Sequence, residues 1–426
     1  MSRRVVITGL GVVAPNATGL EAFHQAIREG KSGIKFDEIL LERKLTCQIS
    51  GRPEYDDALI KEILPKAMYS KLENVAMKHA CISGAEAWRD AGLDFIADNE
   101  NPDWDSGMVF GVGSLPMGEF IRDKIELAYN TVPRKVGSRI VEQTMNSGAI
   151  TYLNKIIGLG NMVVSNSNAC STGTEAAILG YERIKSGQAK RMLCGSTESE
   201  GWVIWTAFDG MRILCSKFND EPERGSRPMA EDAAGLVPAS GSGAYVLEDL
   251  ESALERGARI YGEIVAGQLT NGGMRNGGSI TAANSDATEI AIRKSLEQAN
   301  ITGDEIDLIC GHLTSTVGDV REIATWKKSL DRTKENFPPI NTLKSMVGHC
   351  LGASGSIEMV AALLQLHHQF VHPNINIESL HPEIVSLIGR EAITGKLIEK
   401  EINYVIKANL AFGDSNSCLI FKKWNE

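Results

Sequence analysis

Short apolar runs and longer amphipathic stretches alternate along the chain. The runs at 4–8, 107–112, 162–166 and 191–195 have the length of buried strands, and the stretches 71–90 and 175–186 have helical spacing. That alternation is the pattern of an α/β protein. The later part of the chain repeats it: a helix-to-strand passage leads to Ile264, the run Ile306 to Ile309 precedes His312, and Pro339 to Leu343 precedes His349. Cys170 and His349 are each followed by a turn rich in Gly, Ala and Ser, then by Glu175-Ala176-Ala177 or Glu358-Met359-Val360-Ala361. This likeness reads as an internal duplication, with small residues where paired helices would meet. Its boundary is expected near residue 250, giving halves 1–250 and 251–426. The stretch NGGMRNGG (Asn271 to Gly278) is expected as an exposed loop, since no lysine or helix start of the P-loop kind follows it.

Composition narrows the class. With 426 residues, 43% apolar and 23% charged, the chain reads as an ordinary globular protein with a large core. No apolar run approaches the roughly 18 residues of a membrane span. The N-terminal Arg3-Arg4 and VVITGLGVVA imitate a secretory leader, but Gly9 and Gly11 interrupt the apolar part, so a first core strand is expected. Eight cysteines without a CxxC pair fit a reducing compartment, and the cytoplasm is the expected location. A net charge of −10 disfavours nonspecific nucleic-acid binding.

Among the cysteines, Cys170 stands out. In VVSNSNACSTGTEAA (Val163 to Ala177) it lies where a strand passes through a polar turn into a helix. Unpaired N–H groups and the dipole at a helix start favour thiolate, so a lowered thiol pKa and nucleophilic reactivity are expected there. Cys194 and Cys310 lie in apolar strands and read as core, and Cys350 as packing. His312 in GHLTSTVGD, and Lys344 and His349 in KSMVGHCLGASG, complete a candidate site. His368 and His372 are spaced i, i+4, but Pro373 follows and no acidic or cysteine ligand stands near, so no metal site is expected. Gly9, Gly11 and Ala14 satisfy a loose dinucleotide-binding pattern, which Pro15-Asn16 argues against by breaking the helix such a fingerprint must open.

These three stretches, with VVITGLGVVAPNA (Val5 to Ala17), FDGMRILCSKFND (Phe208 to Asp220) and NLAFGDSNSCLIF (Asn409 to Phe421), resemble the elongating beta-ketoacyl-acyl-carrier-protein synthases of the thiolase superfamily. The resemblance spans nearly the whole chain. It implies a thiolase-like α/β fold of two similar halves in layers α/β/α/β/α. It also implies an acyltransferase that condenses an acyl thioester with malonyl carrier protein by decarboxylative Claisen chemistry. On its motifs Cys170 corresponds to the nucleophile and His312 and His349 to the decarboxylating pair. Lys344 matches the family's electrostatic lysine, with Glu358 its partner; the local alternative for those two is an exposed helix-end ion pair.

The N–H groups of Cys170 and Phe412 match the oxyanion hole, Phe412 also the acyl-pocket gate, and Thr314 and Thr316 the threonines that bind the phosphopantetheine arm. The carrier protein supplies that arm, and no cofactor of the chain's own is implied. Acyl carrier protein is the implied partner, with Lys66 and Lys71, or Arg134, Lys135 and Arg139, as candidate docking cations. The family implies a homodimer, with a heterodimer also open.

Three departures from the family pattern are visible. Asp232-Ala233-Ala234-Gly235-Leu236 puts Leu236 where an aromatic is usual beside the malonyl site. Leu313 replaces glycine, and the proline expected after Thr316 is missing. Gly413-Asp414 replaces a glycine pair, so Asp414 is expected to stiffen the gate and narrow acyl selectivity. These changes point to a specialised condensing enzyme, as in polyene or polyketide-like synthesis. Two other readings stay open at this level: a thiolase-type acyltransferase using coenzyme A, and the chain-length-determining partner subunit of a ketosynthase heterodimer.

Overall fold

The computed structural model describes residues 3–113 and 119–425. The principal elements of the first half are β1 (Val5–Ala14), α1 (Val75–Asp90), β2 (Ser106–Val112), α2 (Gly148–Ile157), β3 (Val163–Val164), α3 (Thr172–Lys185), β4 (Arg191–Glu198) and β5 (Gly241–Asp249). Those of the second are β6 (Gly262–Asn271), α4 (Ser285–Ala299), β7 (Leu308–Cys310), α5 (Gly318–Ser329), β8 (Ile340–Asn341), α6 (Ser354–His368), β9 (Tyr404–Ala411) and β10 (Ser415–Lys422). The two series match element for element, as the repeated sequence pattern implies.

All ten strands belong to one sheet, in the order β8-β7-β9-β10-β6-β1-β5-β4-β2-β3, with Ala17–Thr18 paired beside β1. Inward from either edge the succession is the same. A short edge strand, β3 or β8, is parallel to β2 or β7, which is parallel to β4 or β9, which is antiparallel to β5 or β10. The halves join where β1 and β6 pair antiparallel over Val5–Ile7 and Gly262–Ile264. Helices α1 and α2 pack on the first half, α4 and α5 on the second, and α3 and α6 pack against each other between them. This is the layered α/β/α/β/α arrangement. No helix among the described residues is long and apolar enough to cross a membrane.

Glycines set the closest approaches. A Cβ on Gly173 would lie 2.4 Å from the backbone N of Ser356, and one on Gly355 would lie 2.7 Å from that of Thr174. The central helices therefore touch backbone to backbone. Against the outer layer, a Cβ on Gly9 would meet the Ala87 carbonyl oxygen at 2.1 Å and one on Gly11 the Ser83 carbonyl oxygen at 2.0 Å. Gly9, Gly11 and Ala14 all lie inside β1, so the dinucleotide-like pattern is the seat of α1 and forms no phosphate-binding turn.

Some element limits differ from the sequence expectation. The Asn74 side chain accepts from the Met77 N–H and starts α1 at Val75, excluding 71–74. Strand 162–166 shrinks to Val163–Val164, because the Asn166 side chain donates to the Thr172 carbonyl and Glu175 and begins the turn into α3. Gly11→Val should cost roughly 3 kcal/mol or more, since its side chain would need α1 to move. Gly210→Ala, where an added Cβ meets nothing within 4 Å, should stay near wild type. Urea-unfolding midpoints of the two variants check this, and equal midpoints would contradict the packing argument.

Candidate active site

The thiol stands on a strained corner. After β3 the chain makes one tight turn, Ala169–Ser171, with Ala169 in a left-handed conformation (φ 43°), and enters α3. Side chains hold the corner. The Asn168 N–H donates to Thr172 Oγ1 at 2.8 Å, and that hydroxyl donates to the Ala169 carbonyl at 2.7 Å. The Asn166 and Asn168 amides donate to Glu175, and Ser171 Oγ donates to the Asn409 carbonyl. The second half repeats the corner at Leu351–Ala353, with Leu351 at φ 47°, before α6. There Gly352 takes the place of the thiol, and its N–H donates to the Glu198 carboxylate.

Cys170 is 8% exposed. Burial pushes its thiol up to about 12; the Lys344 ammonium and the Phe412 N–H pull it down, while Glu198 and Glu358 oppose them. The lowered pKa expected from the helix start is replaced by a raised one, because desolvation outweighs the nearby Lys344 charge and the Phe412 N–H. Access is what separates this thiol from the others. All eight cysteines are free and buried, and Cys170 lines the cavity that holds the histidines.

His312 and His349 face each other edge to face, ring centroids 5.5 Å apart at 82°. Both use Nδ1 as an acceptor. His349 Nδ1 receives the Leu351 N–H at 3.0 Å and lies 3.1 Å from Ser354 Oγ. His312 Nδ1 lies 3.3 Å from Asn409 Nδ2 and 3.4 Å from Lys344 Nζ, both donors. Each neutral ring therefore carries its proton on Nε2. Burial and then Lys344 lower both: His312 well below its ordinary value, with His349 and Lys407 adding to the effect, and His349 to about 3. Neutral imidazoles with a free N–H are thus the standing state at physiological pH.

Lys344 and Glu358 form a buried ion pair, which replaces the exposed helix-end alternative. Lys407, fully buried in β9, binds the other Glu358 oxygen at 2.9 Å, and Asn409 Nδ2 donates to that same oxygen at 2.9 Å. Burial by itself would raise the Glu358 carboxyl, but the two lysines outweigh it and hold it at about 2. Lys407 and Asn409 went unseen in the sequence reading. A signal was present: in YVIKANLA, a lysine and an asparagine two apart point to the same face of a strand whose other residues are apolar.

The cavity, about 370 Å³, is lined by Cys170, His312 and His349 together with Leu236, Thr314, Thr316 and Phe412. Thr314 Oγ1 and Thr316 Oγ1 are 3.0 Å apart. The turn that carries them is held by Asp319, which accepts from the Thr314 and Ser315 N–H groups, and by Glu322, which accepts from those of His312 and Leu313. Leu313 fills the glycine position with φ 21° and a fully buried side chain. Phe412 is half-buried, its ring 6.0 Å from Phe208.

Asp414 is a different matter. It does not line the cavity. At φ 61° its buried carboxylate turns toward the glycine-rich stretch and accepts from the Met274 N–H at 2.9 Å and the Asn284 N–H at 2.7 Å. A Cβ on Gly272 or Gly278 would fall 2.2 Å from its Oδ2, so these glycines make room for it. The expected substrate-facing gate residue is instead an anchor between two loops, and NGGMRNGG is tied down as well as exposed.

The family model for the N-terminal domain of beta-ketoacyl synthases matches residues 2–253, and that for the C-terminal domain matches residues 261–378. The chain is 31% identical over 423 residues to the 3-oxoacyl-[acyl-carrier-protein] synthase 1 of Escherichia coli (strain K12), covering 99% of both. It is 32% identical over 435 residues to a putative polyketide beta-ketoacyl synthase 1 of Streptomyces halstedii, covering 99% of this chain and 98% of that one. A crystal structure of a beta-ketoacyl synthase from Burkholderia phymatum STM815 superposes with a TM-score of 0.88 at 26% identity, covering 99% and 100% of the two chains. The AntDE:AntF structure, a type II PKS acyl-carrier protein in complex with its ketosynthase bound to the hexaketide, gives a TM-score of 0.84 at 26% identity, with full coverage of both.

Two expectations follow. Iodoacetamide should label Cys170 ahead of the other cysteines, at a rate that climbs roughly tenfold per pH unit between pH 7 and 10, because a thiol raised to about 12 has little thiolate at neutrality. Peptide mapping across pH measures it; a plateau by pH 8 would contradict the buried-thiol state. Asp414→Ala should leave the Met274 and Asn284 amides without an acceptor and speed their hydrogen exchange about tenfold or more, as read by mass spectrometry. Unchanged exchange would remove the anchor.

Proposed function

We propose that this chain, which belongs to the beta-ketoacyl synthase family, is an elongating 3-oxoacyl-carrier-protein synthase acting in fatty acid or polyketide biosynthesis. The observation that carries the reading is the shared cavity: one thiol and two neutral imidazoles, each with Nδ1 occupied and Nε2–H free. An acyl chain is first transferred to Cys170. The thiol adds to the acyl thioester, the N–H groups of Cys170 and Phe412 hold the oxyanion, and the departing pantetheine sulfur takes the thiol proton. Malonyl carrier protein then enters past Thr314 and Thr316, whose hydroxyls suit the amides of the arm.

Loss of carbon dioxide leaves the bonding pair as an enolate, and the Nε2–H groups of His312 and His349 donate to its oxygen. Neutral donors suit this step because they hold the enolate oxygen without surrendering a proton to the carbon. The enolate carbon attacks the acyl carbonyl, the Cys170 sulfur leaves as thiolate and takes a proton from solvent to restore the thiol, and the product is two carbons longer. The Glu358 cluster, a carboxylate between two lysines, keeps the surroundings of His312 positive. Leu236 shapes the malonyl side of the cavity with an aliphatic surface.

For partners, we read the carrier protein as acidic and docking on exposed Lys66, Lys71, Arg134 and Lys135. The two candidate patches adjoin, because the Gln143 side chain donates to the carbonyls of both Lys71 and Arg139. Exposed Tyr129, Val132 and Val141 support contact with a second copy of this chain, and we place the enzyme in the cytoplasm. A thiolase reading fits less well, since Cys170 is the one cysteine on the cavity wall among the described residues. A chain-length subunit without catalysis has no use for the complete set of Cys170, His312 and His349.

Cys170→Ala should abolish acyl loading, read by intact mass. His312→Ala and His349→Ala should each slow malonyl decarboxylation roughly 100-fold, about 3 kcal/mol, while still accepting an acyl group at Cys170. Carbon dioxide release at the wild-type rate in both histidine variants would sink the mechanism.

A further inference from the structure

Lys407 is more than charge balance requires. Glu358 already has a partner in Lys344, so a second fully buried lysine leaves the cluster with one more cation than anion. Burial works against its ammonium, and Glu358 is what opposes that. Such a group is costly unless every contact is used. Its remaining contact is with the Asn409 side-chain oxygen.

That amide has two unlike ends. Asn409 Oδ1 receives Lys407 Nζ and, at 2.5 Å, Thr174 Oγ1. Nδ2 donates to Glu358 Oε2 at 2.9 Å and faces His312 Nδ1 at 3.3 Å. Reversing the amide would set its NH2 against an ammonium and its oxygen against a carboxylate. With the observed orientation, His312 Nδ1 meets only donors, Asn409 Nδ2 and Lys344 Nζ, and must accept. The ring proton then lies on Nε2.

We propose that Lys407 is a positioning residue that, from the oxygen end, holds the Asn409 amide in the orientation that Glu358 also favours, and so reinforces with Lys344 the Nε2–H tautomer of His312. The inference rests on the role given above to His312 as an enolate donor. Glu358 fixes the NH2 end of the amide and Lys407 its oxygen end, whereas Thr174 fixes neither, because a hydroxyl can turn to donate or accept and tolerates either amide orientation. The charged and titratable groups around His312 are Lys344, His349 and Lys407, with Glu358 behind Lys344 and Asn409, Cys170 on the same cavity wall, and Glu322 holding its backbone N–H. Of these, Lys344, His349 and Lys407 disfavour imidazolium, so removing Lys407 makes His312 easier to protonate. For a donor that must stay neutral, activity is then lost at a higher pH as acid is added.

The test uses the whole enzyme with 15N-labelled histidine. Wild type should show His312 as a neutral Nε2–H ring from pH 8 to 5.5. Lys407→Met should raise a minor Nδ1–H population absent from wild type, move the acid limb of malonyl decarboxylation up by about one pH unit, and lower kcat at pH 7 roughly tenfold. KM for malonyl carrier protein and acyl loading at Cys170 should stay within about twofold. Lys407→Arg should restore the limb. Lys407→Gln, whose amide can donate or accept and so no longer forces one Asn409 orientation, should loosen the tautomer less than Lys407→Met does and shift the limb as far. A folded Lys407→Met with the wild-type limb and tautomer overturns the proposal while the mechanism stands. If no Lys407 variant folds, the wild-type spectrum decides: an Nδ1–H ring, or imidazolium at pH 6, overturns it. Wild-type decarboxylation in His312→Ala would overturn both the proposal and the enolate-donor reading.

Discussion

The contact on which the site depends is the crossing of α3 and α6 at Gly173 and Gly355. With no Cβ on either side, the helices meet backbone to backbone, and their N-terminal corners come to one place between the halves. Cys170 arrives from the first corner and His349 from just before the second. A side chain at either glycine would separate the helices and with them the thiol and the imidazole. The repeated order of strands and helices supplies the near-twofold frame for this crossing. The halves differ at the corner itself: one carries a thiol, the other Gly352, whose N–H is used to hold Glu198.

A second layer of control is electrostatic. Glu358 lies on α6, Lys344 on the turn before it, and Lys407 and Asn409 on β9. Their interlocked contacts sit in the low dielectric that also surrounds the histidines and the thiol. Burial drives the groups in the same direction, toward their uncharged forms: Cys170 as thiol, His312 and His349 as imidazole. The site is therefore built to react through hydrogen-bond donors already in position rather than through standing charges on the reacting groups. The exception is the ionised cluster behind His312, which can stay charged because each member has opposite or polar partners.

Toward solvent, the arrangement becomes one of linked loops. Phe412 carries a half-buried ring at the cavity wall and an N–H at the thiol, while Asp414, two residues on, grips the backbone of the glycine-rich stretch. Thr281, Ala282 and Ala283, further along that stretch, also line the cavity. The two loops are thus bound through a carboxylate that does not line the cavity. What read as a stiffened gate in one loop is a clasp between two.

The sequence by itself determined a good deal: the α/β class from alternating periodicities, the internal duplication from its repeated corner, and Cys170, His312 and His349 as candidates from their local motifs, with Lys344 and Glu358 added by family resemblance. These were legible because short-range chemistry leaves short-range patterns: a polar turn between strand and helix, or a histidine before a run of small residues. Tertiary structure decided the rest. The Cys170 thiol is raised because burial by distant segments outweighs the nearby Lys344 charge and the Phe412 N–H. Gly9 and Gly11 serve packing because α1, more than 60 residues on, lies against them. Asp414 turned from the cavity because its acceptors' partners, Met274 and Asn284, are over 120 residues away in the chain. Lys407 and Asn409 gain meaning only beside Glu358 and His312, which the sheet and the central helix bring to them. Desolvation and long-range pairing depend on what surrounds a residue in space, and no local pattern records that.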